Sequence, residues 1–277
     1  NSVSYSTLNI EASGFHAVYL NGASTNTLAQ CYVHNRYGYA AFLASGANWN
    51  AVSRSTMSTY STASGLYIAG SSFNAVTQSR MTSTSGHGAM LSTNAKNNTL
   101  DQSTMTALAA GTAALYMQAA SSNTISRSYI NNAGGYGALL TSNANSNSID
   151  RSTITNASLT AALTISGSSW NAVTWGFVRN TGGHGAYLTS GSKYNTIGQS
   201  TITSAGANYR ALYLSDASSN TVTQSYIAHA SSGDAAYIAD NSHYNTLSLS
   251  TITVNYNAGY AYFVRASSGN VLSGSMV

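Results

Sequence analysis

Ser122-Asn-Thr-Ile-Ser-Arg-Ser-Tyr-Ile130 returns as Ser219-Asn-Thr-Val-Thr-Gln-Ser-Tyr-Ile227. The shared phrase is Asn, any residue, an aliphatic residue, two further residues, a small residue, one more, and an apolar residue. Worked outward, it begins at Asn1, Asn26, Asn50, Asn74, Asn98, Asn123, Asn147, Asn171, Asn195, Asn220, Asn245 and Asn270. The steps are 24 or 25 residues throughout, so one repeat accounts for the whole chain. Each repeat also carries a second apolar segment, such as Ala17-Val-Tyr-Leu20, Gly88-Ala-Met-Leu91 or Gly185-Ala-Tyr-Leu188.

Alternate residues in these segments fall on opposite faces, the period of a strand. Ile125 and Ile130 are an odd number of residues apart, so a turn must separate them if both point inward. One repeat therefore holds about three short strands joined by bends. Such a unit cannot bury its apolar residues alone, but stacked units share a continuous core. The expected fold is all-β: a single-stranded parallel β-helix of about eleven rungs over residues 1–277. It is one domain, or a segment of a longer solenoid. At about 4.8 Å per strand the rod would be about 53 Å long. A helical repeat of this length is excluded by the weight of β-branched residues, Ser and Asn, with Gly in nearly every unit.

Stacked at a bend, the anchor side chains Asn26, Asn50, Asn74, Asn98, Asn123, Asn147, Asn171, Asn195, Asn220 and Asn245 can each donate to one neighbour and accept from another. We read them as an asparagine ladder. The fifth position after the anchor is small, as at Ser55, Ser79, Ser103, Ser128, Gly176 and Ser200. Cys31 falls in that column and reads as a buried structural thiol. Successive rungs are not equivalent. Thr alternates with a bulky residue at the sixth position (Thr104, Tyr129, Thr153, Phe177), and large alternates with small in the second apolar segment (Leu115, Ala138, Leu163, Ala186). The linker to the next anchor alternates between six and seven residues, so the unit spans two rungs.

Only 6% of the 277 residues are charged, against about 25% in an ordinary soluble domain. There is no proline and one cysteine. No apolar run reaches the ~18 residues of a membrane span, and no basic block marks a nucleic-acid partner. The net charge of +4 reflects scarce acids. Those acids are Glu11, Asp101, Asp150, Asp216, Asp234 and Asp240. Asp101 and Asp150 share a column two rungs apart, about 10 Å, just beyond an inverting glycosidase pair. Asp216 and Asp240 share a column in adjacent rungs, about 5 Å apart, and repel unless something intervenes. A calcium ion on hard oxygens is one solution, Arg265 in the next rung a second, and a retaining glycosidase pair a third. No other cofactor is indicated. The histidines show no metal spacing. The Thr-x-Thr phrases that would suit ice are interrupted every second rung. Sequons at Asn97 and Asn156 offer glycosylation sites, with Asn156 expected in an exposed loop.

These repeats resemble the right-handed β-helix proteins of the pectin-lyase-like superfamily. The resemblance implies a right-handed coil. That superfamily includes polysaccharide lyases, glycoside hydrolases, phage tailspikes, adhesins and surface-layer repeat proteins. Regular rungs without long loops look more like its structural members, and the composition is similar to surface-layer and sheath proteins. The chain begins and ends on an anchor with no visible cap. From this we expect an extracellular or cell-surface structural protein that assembles with copies of itself, end to end and through its flanks, into a layer, sheath or fibre. The alternatives are a carbohydrate-active β-helix that binds or cleaves a cell-surface polysaccharide, with Tyr67, Tyr187, Tyr213 and Tyr237 stacking on sugars, or an adhesin or tailspike shaft.

Overall fold

A computed structural model describes residues 1–255 and 259–277. Among these residues there is no helix. The strands form three parallel sheets of 12, 11 and 11 strands, and every strand pairs only with its counterparts one rung before and after. One rung shows the plan. Thr124–Ser126 lies in the first sheet, Tyr129–Asn132 in the second and Tyr136–Thr141 in the third. Ile125 stacks between Leu100 and Ile149, Ile130 between Met105 and Ile154, and Leu140 between Met117 and Ile165. All nine are buried, so one apolar core runs along the axis. This is the parallel β-solenoid that the repeat requires.

The bends explain how a rung turns without proline. Before the first sheet the chain takes a left-handed residue, Ser122 at φ 57°. After it comes another, Arg127 at φ 47°, which supplies the turn between Ile125 and Ile130. Non-glycine residues pay roughly 1–2 kcal/mol for that conformation. Their N–H groups are recovered by the next rung, as when Arg127 donates to the Asp150 carbonyl at 3.0 Å. The third bend, after the third sheet, carries the two-rung period. It is one left-handed residue at Gly70, Ala119, Gly167 and Asp216. It is two at Thr93–Asn94, Ser142–Asn143, Ser190–Gly191 and Asp240–Asn241. The rungs with the longer bend are those with Ala89, Ala138, Ala186 and Ala236 inside; the others hold Leu66, Leu115, Leu163 and Leu212. The six-or-seven linker and the large-or-small core are thus one feature seen twice.

Every anchor asparagine bonds to the next. The Nδ2 of Asn26, Asn50, Asn74 and Asn98 donates to the following Oδ1 at 3.0 Å, and the chain of bonds runs from Asn1 to Asn270. The same Oδ1 also accepts the preceding anchor's backbone N–H, as Asn123 does from Asn98 at 3.0 Å. A second ladder, which residue size alone does not reveal, runs through the small column. Ser55, Ser79, Ser103 and Ser128 each accept the backbone N–H of the column's preceding residue and donate to the carbonyl two residues back. Cys31 occupies one place in it, buried, with its thiol directed at the Ala29 carbonyl 3.3 Å away.

Candidate functional site

With so regular a scaffold, a functional site must lie in its outward columns. On the second sheet, Tyr129 and Tyr226 lean across the next rung, and their hydroxyls accept from Thr155 and Thr253 at 3.3 Å. The bulky residues therefore interrupt the column of Thr153, Thr201 and Thr251 and reach over the second threonine of the next rung, so no flat threonine array remains.

The third sheet carries the densest chemistry. Its outward column runs in register from Tyr19, Phe42 and Tyr67 to Tyr187, Tyr213, Tyr237 and Phe263. Strand spacing brings the rings face to face: Tyr187–Tyr213 at 4.9 Å and 9°, Tyr213–Tyr237 at 5.3 Å and 8°, Tyr237–Phe263 at 5.1 Å and 29°. Phe42 and Tyr67 stack likewise at 4.7 Å and 3°. This narrows the sequence expectation that sugars would lie on these rings: Tyr213 and Tyr237 have neighbouring rings on both faces, whereas Tyr67 and Tyr187 end their stacks, next to Met90 and Thr164. Tyr237 is buried at 5% exposure, while Tyr187 and Tyr213 are half-buried and keep part of their edges at the surface.

Charges are set into the C-terminal part of this flank. The Arg210 guanidinium lies 4.7 Å from the Tyr237 ring centroid and 5.5 Å from that of Tyr213. Its Nε is 3.5 Å from Asp234 Oδ2 but makes no well-formed hydrogen bond. Asp234 also accepts the Tyr260 N–H at 2.9 Å. Arg265 meets Asp240 at 3.2 Å and lies 5.9 Å from the Tyr237 centroid. Asp240 further accepts from Ser215 at 3.2 Å and from the Tyr213 hydroxyl at 3.4 Å. The Arg265 guanidinium is the main cause that holds Asp240 below the usual carboxylate range, while burial pushes the Tyr213 phenol up. His184 accepts the Arg210 N–H on Nδ1 at 3.0 Å, so a neutral ring carries its proton on Nε2. Burial, then the Arg210 charge, lowers its pKa to about 4. It is a neutral donor at pH 7.

Asp216 and Asp240 are neighbours in one column, as the repeat implies. The Asp216 N–H donates to the Asp240 carbonyl at 2.8 Å, and both hold left-handed bends at φ 52° and 51°. Of the three solutions to their repulsion, the structure shows Arg265 on Asp240, with the Asp216 side chain turned to solvent. Calcium would need about six to eight oxygens. Among the described residues no three His, Cys, Asp or Glu side chains gather to hold a metal. The donor set does not fit the ion. Asp101 and Asp150 are separated in their column by Ser126. Arg127 holds Asp101 through two bonds of 2.9 and 2.6 Å and depresses its pKa, which unsuits it to carry a proton as a general acid. Thr174 and Arg151 hold Asp150 at 2.8 and 3.3 Å.

The two sequons differ. Asn97 is exposed on a left-handed bend. Asn156, expected in an exposed loop, is only 4% exposed. It ends a strand of the second sheet pointing inward, where Nδ2 donates to Thr160 and to the Ala161 carbonyl and Oδ1 accepts from Ser158. Asn132 and Asn180 pin the same loop in neighbouring rungs. In the folded rod Asn156 is a structural loop cap.

The sequence matches the family described as the right handed beta helix region over residues 16–175 and 177–277. The chain belongs to that family, and its fold is the right-handed parallel β-helix of the pectin-lyase-like type. The A-module of the mannuronan C-5 epimerase AlgE4 of Azotobacter vinelandii is similar in structure, with a TM-score of 0.74 at 10% identity, over 99% of this chain and 87% of that one. The AlgE6 A-module of the same organism gives 0.67 at 12% identity, over 100% and 90%. ORF18 of Geobacillus virus E2 gives 0.64 at 8% identity, over 92% and 56%. At such identities the likeness is one of fold. No curated protein matches the sequence. Among the described residues, no helix is long and apolar enough to cross a membrane.

Proposed function

We propose that this β-helix binds a polysaccharide along the third-sheet flank and does not cleave it. The observation that carries this reading is the pair of half-buried phenol edges at Tyr187 and Tyr213, stacked in register and set beside Arg210, Arg265 and His184. It offers hydroxyls, guanidinium N–H groups and one neutral imidazole N–H, donors suited to the hydroxyls of a glycan. Cleavage needs a free base or a carboxyl that keeps its proton. Here Asp234 and Asp240 are tied to arginines, Tyr213 is held protonated, and His184 has its lone pair on Nδ1 occupied. The mannuronan epimerases among the structural neighbours support a carbohydrate partner. An extracellular or cell-surface location follows from such a partner. The self-assembling polymer expected from composition has no comparable support.

The test is affinity electrophoresis of the parent, Tyr187→Ala and Tyr213→Ala through gels containing soluble polysaccharides. Product size and unsaturated-sugar absorbance are followed in parallel. Retardation of the parent, lost in both variants without a change in the polymer, supports the reading. Shortened polymer would make the protein an enzyme. A parent that migrates freely in every gel would remove the proposal.

A further inference from the structure

Aromatic rings recur at the edge that joins the third sheet to the first, and there they stand differently. Trp49 and Phe73 occupy the left-handed bend before the anchor in successive rungs. They stack at 4.4 Å and 4°, and are 61% and 43% exposed. The next residue in the column is Asn97, too short to cover a ring. Trp170 and Tyr194 repeat the arrangement at 4.4 Å and 19°, with Ser219 next in the column. Each stack stops after two rings, so its outer faces are not covered by a further ring, unlike those of Tyr213 and Tyr237 on the flank.

The chain has two lysines, and both lie at this edge. Lys96 immediately precedes Asn97, and its carbonyl accepts the Phe73 N–H at 3.2 Å. Lys193 immediately precedes Tyr194, and its carbonyl accepts the Trp170 N–H at 3.2 Å. Both side chains are exposed. The arginines of the ion pairs, Arg127, Arg151, Arg210 and Arg265, are neutralised by acids; the lysines, like Arg36, Arg54, Arg80 and Arg179, are in no ion pair among the described residues, and they alone flank the exposed ring pairs of this edge. The lysines stand four rungs apart, about 19 Å along the axis.

We propose that this edge is a second contact surface for an acidic polysaccharide, with sugar carboxylates on Lys96 and Lys193 and sugar rings on the open faces of Phe73 and Tyr194. The inference rests on the polysaccharide reading and gives it a substrate class. Open aromatic faces suit the apolar side of a pyranose, and an unneutralised ammonium beside each suits a charge carried once per sugar. A nucleic-acid strand would ask for a continuous basic groove, which two isolated lysines do not make. Two separated subsites also favour polymers over short oligosaccharides, because the second contact becomes intramolecular.

The experiment compares polygalacturonate with its fully methyl-esterified form, by titration calorimetry at low and high salt. The proteins are the parent, Phe73→Ala, the Lys96→Gln/Lys193→Gln pair, Arg80→Gln as an exposed control on the second sheet, and Tyr213→Ala. All are first checked for unchanged melting. We expect the parent to prefer the acidic polymer, and the double lysine variant to lose about tenfold or more of that affinity. Binding of the ester should stay at the parental level, and Arg80→Gln should behave as the parent. A double variant with parental affinity for the acidic polymer overturns the edge site; if Tyr213→Ala still loses binding, the flank reading stands without it. Tighter binding of a thymidine oligonucleotide that displaces the polymer would also overturn it. A parent that binds neither polymer overturns the edge site, and retardation of the parent in the gels with loss in Tyr213→Ala would then leave the flank reading standing without it.

Discussion

Asn123 shows how much one residue can hold in this architecture. It is fully buried. Its Nδ2 donates to Asn147, Ala95 and Ser121, and its Oδ1 accepts both the side chain and the backbone N–H of Asn98. Asn123→Ala leaves the buried Asn98 N–H without that acceptor. Urea unfolding should show a loss of about 1–3 kcal/mol, with no comparable change for Asn1→Ala at the exposed end of the ladder. An equal effect of the two would mean that the ladder adds nothing beyond strand pairing. The histidines give a second test at this scale. Burial lowers the pKa of His87 and His229 from 6.5, and that of His184 to about 4. The unfolded chain therefore binds these protons first. Their contribution is fully present above pH 6.5 and is lost as the pH falls from 6.5 towards 4. The melting temperature should drop across that window, and His184→Gln should flatten part of the slope. A profile unchanged by the substitution would show that His184 titrates normally.

The strands and bends were the most legible part of the sequence, because the anchor spacing and the odd interval from Ile125 to Ile130 leave few ways to point both residues inward. The alternating linker was visible as a count, but its cause is backbone geometry: one left-handed residue in one rung, two in the next. The flank was legible only as composition. Sequence places Tyr187, Tyr213 and Tyr237 in one column, yet parallel stacking, not sequence, decides that both faces of Tyr213 and Tyr237 are covered. Asn156 was misplaced for a similar reason. The phrase around it reads as a loop, but it is the last inward residue of its strand. The alternation itself can be tested. Ala138 stacks between Leu115 and Leu163 with no exposed surface. Ala138→Leu would put three large residues in succession, and overpacking should cost about 1–3 kcal/mol in denaturant unfolding. A neutral result would mean that the longer bend at Ser142–Asn143, not core volume, sets the period.

At the scale of the whole molecule, stability should be distributed along the rod and not held at a centre. Each rung contacts only its neighbours through three pairings and two polar ladders, so its stability depends on nearest-neighbour interfaces. Ile125→Asp places a charge in the buried column between Leu100 and Ile149, where no partner side chain is available to satisfy it. In a globular domain with one core such a change would lower protection everywhere. Here hydrogen exchange should show lost protection in the first-sheet strands Thr99–Asp101, Thr124–Ser126 and Ser148–Asp150 and their rungs. Thr27–Ala29 and Thr246–Ser248, several rungs away on either side, should exchange as in the parent. The same variant should keep the C-terminal flank around Tyr213 and Arg210 folded, and with it whatever glycan that flank binds. Uniform loss of protection along the chain would show that the rungs are coupled over long range, and that the aromatic flank could not be dissected from the core beneath it by single substitutions.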